Sequence, residues 1–188
     1  LCNMGIQLIY ISVNYLSEII EDYFGSGKKF GIEIRYLQES KKLGTAGALS
    51  LLPNINDLET VLVMNGDILT NSDFINLLHF HEDQQSAITI SAVDYHIKIT
   101  DGVIKYDGVE VKAIQEKPSQ QFFCNAGIYA LSSSVLKKIP INKFFNMTDL
   151  IEKCLSEGDM VSVFPVHEYW SDIGTAEDLD KVRKEFKG

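Results

Sequence analysis

Short apolar runs alternate with segments of helical period along most of this chain. Gln7–Val13 is rich in isoleucine and reads as a strand. Tyr15–Phe24 follows with apolar residues at 16, 19, 20, 23 and 24, the spacing of one helix face, and Gly25, Ser26 and Gly27 stop it. Ile32–Leu37 alternates as a half-buried strand does, and Ala46–Leu52 reads as a short helix ended before Pro53. Val61–Met64 is apolar throughout, which suits a strand covered on both faces. Phe74–His81 predicts a helix and Ala87–Val93 a strand. This rhythm predicts an α/β fold built on a mostly parallel sheet with helices on both faces.

The pattern changes near residue 100. Asp101-Gly102 and Asp107-Gly108 are turn dipeptides beside the strand-like stretches Val103–Tyr106 and Val109–Ile114, so a β-hairpin is predicted as an insertion into the α/β framework. Gly127–Leu131 reads as a strand returning to that framework. Thr148 is placed to cap a helix through Leu155, with Gly158 near its end. Met160–Val166 reads as a last strand, and Thr175 as the cap of a closing helix over Glu177–Phe186. No repeat or linker interrupts the chain, and one domain is expected.

Composition narrows the class. With 188 residues, 45% of them hydrophobic and 23% charged, the chain is long enough for one well-packed domain. A net charge of −9 argues against a nucleic-acid partner, because no basic patch is present. The apolar runs are too short to span a bilayer, and residues 1–24 lack signal-peptide features. The three cysteines, Cys2, Cys124 and Cys154, share no metal spacing and read as reduced thiols of a cytoplasmic protein.

Candidate chemistry sits where strands give way to helices. Asn65-Gly66-Asp67 follows the apolar strand, the place where open α/β sheets bind ligands. A carboxylate there suits a hard cation such as Mg²⁺, and a plain Asn-Gly turn with a solvated aspartate suits it equally. Trp170-Ser171-Asp172-Ile173-Gly174-Thr175 puts a second aspartate before a helix, as a metal ligand or as a helper of the Thr175 cap. In Leu43-Gly44-Thr45-Ala46-Gly47, two glycines permit close approach of a ligand or serve ordinary turns. It is not a Walker loop. Glu116-Lys117-Pro118 offers an ammonium for a phosphate, with Pro118 expected to hold Lys117 extended, or else a surface ion pair. Asn125-Ala126-Gly127 suits sugar hydroxyls or a strand-edge turn. The four histidines show no ligand spacing and read as surface or capping residues. Ser132-Ser133-Ser134 reads as a helix start rather than a nucleophile.

In this order the segments resemble the family of nucleotidyltransferases that act on sugar 1-phosphates, over about residues 6–185. The look is nearest to mannose-1-phosphate and heptose-1-phosphate guanylyltransferases. The resemblance implies a Rossmann-like three-layer sandwich, a mixed and mostly parallel sheet carrying the inserted hairpin. It implies transfer of a nucleotidyl group from a nucleoside triphosphate to a sugar 1-phosphate, with pyrophosphate leaving. It implies Asp67 and Asp172 as Mg²⁺ ligands, and Leu43, Gly44, Thr45, Gly47 and Gly66 at the nucleotide, with Gln38 or Glu39 beside the base. It implies Glu116, Asn125 and Gly127 at the sugar, and Lys117 at the sugar phosphate. Catalytic roles fall to Asp67, Lys117 and Asp172. Such enzymes often form homo-oligomers.

The family also opens with a strand and a glycine-rich loop ending in Gly-Thr-Arg, which has no counterpart in residues 1–188. The resemblance therefore implies an N-terminally incomplete domain that turns over slowly or not at all by itself. A non-catalytic module that binds or senses sugar nucleotides is the alternative. A glycosyltransferase would need an Asp-x-Asp pair, and Asn65-Gly66-Asp67-Ile68-Leu69 has none.

Overall fold

A computed structural model describes residues 4–53 and 60–185. Cys2 and Phe186, the predicted end of the last helix, lie outside them. The chain forms two compact units interleaved in sequence: Leu1–Gly66 with Asp73–Ile90 and Ile128–Ser162, and Asp67–Ser72 with Ser91–Gly127 and Val163–Gly188.

In the first unit, β1 (Leu8–Val13) and β2 (Glu33–Gln38) pair in parallel, Val13 opposite Gln38. Helix α1 is Ser17–Phe24, shorter at its start than predicted. Leu16 has a φ of 56°, so the chain enters the helix through a left-handed residue and Tyr15 stays outside. The segment predicted as one helix over 46–52 is instead a single α-turn, α2 (Gly44–Gly47), followed by a 3₁₀ turn at Ala48–Leu51. Pro53 and the close packing of the glycines leave no room for a longer helix.

The apolar run forms β3 (Thr60–Met64), antiparallel to β8 (Ser119–Ser132), with Thr60 opposite Ser132. The sheet order is β3-β8-β5-β9, where β5 is Ile88–Lys98 and β9 is Val161–Val166. The central sheet is mixed, as expected. β5 and β8 run longer than predicted because their outer halves are exposed and lose the apolar signal. Helix α3 (Phe74–Asp83) starts at Asp73, whose Oδ1 accepts from the backbone N–H groups of Ile75 and Asn76. α4 is Ser133–Leu136, as the serine run predicts. α5 (Met147–Ser156) is capped by Asn146, not Thr148: Asn146 and Asp149 form a reciprocal capping box. Ile88, Leu131, Val135, Leu136, Leu150 and Cys154 form the floor of the core between these elements.

His81 departs from the surface role expected of it. It follows Phe74 and Leu77 on the buried stripe of α3 and is 1% exposed. Nδ1 lies 2.8 Å from Thr89 Oγ1 and Nε2 3.1 Å from Ser132 Oγ. Ser132 Oγ donates to the Ser86 carbonyl, Ser86 Oγ donates to Ser162 Oγ, and Ser162 Oγ lies 2.9 Å from Thr89 Oγ1. Because Ser132 Oγ already donates to the Ser86 carbonyl, it accepts from His81, which places the proton of a neutral imidazole on Nε2 and leaves Nδ1 to accept from Thr89 Oγ1.

The second unit contains a strand pair that the sequence does not announce. β4 (Ile68–Thr70) and β10 (Trp170–Asp172) are antiparallel, Trp170 opposite Thr70 and Asp172 opposite Ile68. The predicted hairpin is present as β6 (Val103–Asp107) and β7 (Glu110–Gln115), reversing at Gly108 with φ 57°. Val93, Ala126 and Val166 form a small core with Phe164 and Trp170 against it. α6 (Ala176–Glu185) starts as predicted at Thr175, whose Oγ1 accepts from Asp178 N.

Candidate active site

The glycine loop belongs to the first unit. Glu39 follows β2, and its N–H donates to the Val13 carbonyl at 2.9 Å, continuing the β1–β2 ladder. Its carboxylate then accepts Leu43 N through Oε2 at 2.9 Å and Ser12 Oγ through Oε1 at 3.0 Å. On the far side the loop is clasped by residues 143–147. Phe145 N donates to the Leu43 carbonyl, and Ala46 N and Gly47 N both donate to the Phe145 carbonyl. Met147 N donates to Thr45 Oγ1 at 2.8 Å.

This clasp accounts for the loop's small residues. A Cβ on Gly47 would sit 2.6 Å from the Lys143 carbonyl, and one on Gly44, at φ 79°, 2.8 Å from the Phe145 carbonyl. The Leu43 side chain is buried in the core. Gly44 and Thr45 are therefore the loop residues that reach the surface. Gln38 is turned away, its Nε2 donating to Glu21 Oε1. At Gly66, which is exposed, an added Cβ would meet nothing within 4 Å, so the fold itself does not demand glycine there.

The carboxylates belong to the second unit. Asp67 immediately precedes β4, and Asp172 ends β10. Ile173 N donates to the Asp67 carbonyl at 2.8 Å, which brings the two aspartates to the same end of this strand pair. Both are exposed. Thr70 Oγ1 and Asn71 N each bond the Tyr169 carbonyl, securing the other end. Among the described residues, no group of three or more His, Cys, Asp or Glu could hold a metal. Two carboxylates with the remaining positions left to water and phosphate suit Mg²⁺, which keeps waters and substrate oxygens in its shell.

Trp170, on the same strand as Asp172, donates its indole N–H to the Ala126 carbonyl at 2.8 Å. Asn125 Oδ1 accepts from Gly127 N at 2.9 Å, and Gly127 has φ 71°, a conformation that favours glycine. β10 thus orders the Asn125–Gly127 segment as well as the second aspartate. Sequence reasoning placed Trp170 in a motif without giving it this role. Nothing local signals it, because its partner is a main-chain carbonyl 44 positions away.

Glu116 and Lys117 are exposed at the corner between β7 and β8. The Glu116 carboxylate lies over Gly102, where a Cβ would be 3.1 Å from its Oε2. Lys117 is not extended: its φ is 43°. The chain must turn within residues 116–118 so that β8 can run beside β5, with Ile99 N donating to the Pro118 carbonyl. That turn overrides the preference set by Pro118, at a cost of about 1–2 kcal/mol for a left-handed residue with a side chain.

Residues 1–187 match the family model described as Nucleotidyl transferase, and the chain belongs to that family. It is 29% identical over 182 residues to a mannose-1-phosphate guanylyltransferase of Mycobacterium tuberculosis, covering 93% of this chain and 50% of the relative. It is 28% identical over 193 residues to a UTP–glucose-1-phosphate uridylyltransferase of Synechocystis, with 93% and 50% covered. The chain spans about half the length of the curated relatives it matches. The crystal structure of HddC from Yersinia pseudotuberculosis superposes with a TM-score of 0.73 at 25% identity, covering 98% of this chain and 81% of that one. The fold is accordingly the Rossmann-like mixed α/β fold of sugar-phosphate nucleotidyltransferases.

Proposed function

We propose that the protein carrying this chain transfers a nucleotidyl group from a nucleoside triphosphate to a sugar 1-phosphate, giving a nucleoside-diphosphate sugar and pyrophosphate. GTP with a mannose- or heptose-type sugar is the favoured pair. The observation that carries the reading is the β4–β10 pairing, which brings Asp67 and Asp172 to the same end of that strand pair. The names of the relatives support the reaction class, and guanylyltransferases recur among them.

Asp67 and Asp172 would hold Mg²⁺, whose chemistry is to neutralise phosphate charge and orient the triphosphate. An oxygen of the sugar phosphate forms its bond to the α-phosphorus as the bond to pyrophosphate breaks. That nucleophile is already anionic, so no general base is needed, and the residues act by positioning and charge. The Lys117 ammonium faces the sugar phosphate as a point charge. Glu116, Asn125 and Gly127 meet the sugar hydroxyls, and the loop of Leu43, Gly44, Thr45 and Gly47, with Gly66, holds the nucleotide. The chain has 17 basic against 26 acidic residues. Its candidate segments offer Lys117 to the phosphates, with Lys41 and Lys42 near the glycine loop. The free Cys124 and Cys154 support a reducing, cytoplasmic setting.

The test is a thermal-shift panel with GTP, UTP, CTP, dTTP and ATP, with and without Mg²⁺, followed by pyrophosphate release on adding mannose 1-phosphate or glucose 1-phosphate. A nucleotide at a hundredfold its dissociation constant stabilises by about 2.7 kcal/mol. A selective, Mg²⁺-dependent shift supports the reading. A well-folded sample that shifts with no nucleotide, and a parent protein that releases no pyrophosphate with any pair, would overturn it.

A further inference from the structure

We infer that Glu39 is the positioning residue of the nucleotide loop: it holds the loop's entrance in place and does not itself read the base. The inference rests on the proposal that Leu43–Gly47 binds the nucleotide.

Glu39 is anchored by both its main chain and its side chain. Its N–H extends the parallel ladder to Val13. Its carbonyl accepts Asn14 Nδ2 at 2.7 Å. One carboxylate oxygen takes the Ser12 hydroxyl from β1, and the other takes the N–H of Leu43, the residue just before α2. The side chain therefore bridges the end of the β1–β2 pair to the loop and is partly withdrawn from water. A carboxylate that accepts a main-chain N–H forms a charge-assisted bond.

At Leu43 the loop is also held by Phe145 N, which donates to the Leu43 carbonyl, and by burial of the Leu43 side chain. The Phe145 carbonyl fixes the exit, at Ala46 and Gly47, and Thr45 Oγ1 accepts from Met147 N at the start of α5. Residues 40–42 between Glu39 and Leu43 are exposed. Glu39 is thus what ties the entrance to the end of the β1–β2 pair, while residues 143–147 clasp the loop from the other side. With both carboxylate oxygens engaged inside the protein, the side chain is oriented toward the loop backbone. Base recognition is then left to the main chain of Gly44 and Thr45.

The two roles predict opposite behaviour in Glu39→Gln and Glu39→Ala. A glutamine at 39 keeps an oxygen for Leu43 N and an amide that can donate to Ser12 Oγ. An alanine loses both bonds. GTP and ITP, which differ only by the 2-amino group of guanine, serve as probes for the 188-residue chain, with affinity read by titration. Loop order is read by amide hydrogen exchange across residues 41–47, with exchange in α3 and β8 as the control for folding.

In Glu39→Ala we expect faster exchange confined to 41–47 and a loss of affinity on the order of tenfold, the scale of one charge-assisted hydrogen bond. The loss should be equal for GTP and ITP, and Glu39→Gln should restore both readouts. Unchanged exchange at 41–47 in Glu39→Ala would overturn the inference. So would a Glu39→Gln protein that loses GTP selectively over ITP, since that marks a side chain reading the base. If the unaltered chain binds neither probe, the parent protein's pyrophosphate release decides the nucleotide reading, and the exchange experiment still decides whether Glu39 holds the loop.

Discussion

Ile173 donates its backbone N–H to the carbonyl of Asp67 at 2.8 Å, and with the β4–β10 pairing this brings Asp172, from near the end of the chain, to the same end of the strand pair as Asp67. Neither aspartate is buried, so neither is needed for the core. Asp67→Asn and Asp172→Asn should each lower turnover by about 10²–10³-fold, the usual effect of removing one electrostatic stabiliser. Thermal stability should stay within about 0.5 kcal/mol of the unaltered protein. Steady-state rates across a Mg²⁺ titration, beside a melting curve, check both.

Gly47→Ala tests the clasp. The new Cβ would meet the Lys143 carbonyl, which is main chain and cannot swing aside. A loss of about 1–3 kcal/mol is expected from overpacking. Gly66→Ala should be neutral for stability, since its Cβ enters open space. Denaturant midpoints of the two variants provide the contrast. If Gly66→Ala also weakens nucleotide binding, close approach of ligand is what glycine serves there.

Trp170→Phe removes a donor and little volume. The Ala126 carbonyl would lose its partner, and the Asn125–Gly127 turn would loosen. The expected outcome is a rise in KM for the sugar 1-phosphate of about tenfold, from a bond worth roughly 1–1.5 kcal/mol, with KM for the nucleotide unchanged. Initial rates with each substrate varied in turn separate the two.

His81 makes stability depend on pH. Burial pushes its pKa below 6.5, with Glu82 opposing weakly. For a base whose pKa is lowered on folding, the unfolded chain binds the extra proton first. The contribution is therefore present above pH 6.5 and is lost as pH falls below it. Protonation would also break the hydroxyl ring, because the Thr89 hydroxyl could no longer donate to Nδ1. Urea midpoints between pH 7.5 and 5.5 should fall in the unaltered protein. They should flatten over that window in His81→Asn, whatever stability that variant loses outright.

Much of the fold was legible because hydrophobic period reports burial one element at a time. The apolar run at 61–64 and the Asp-Gly hairpin turn around 108 were read from local pattern, and so was the Thr175 cap, since each depends on neighbours in sequence. The order of the motifs likewise marked Asp67 and Asp172 as a candidate pair. By itself, then, the sequence determined the element types, the class of fold and the residues that carry charge.

Tertiary structure decided which of those residues meet and what each is occupied with. β4 and β10 are three residues each, too short to show a period, and they exist because they pair across the chain. Lys117 took a left-handed conformation because the corner from β7 to β8 required it. Gly44 and Gly47 proved to be packing glycines against residues 143–146, a contact no local pattern encodes. His81 looked like a surface residue until its hydroxyl partners from β5 and β8 closed around it. In each case the deciding interaction joins groups far apart in sequence. Its energy depends on distances that only the folded chain sets.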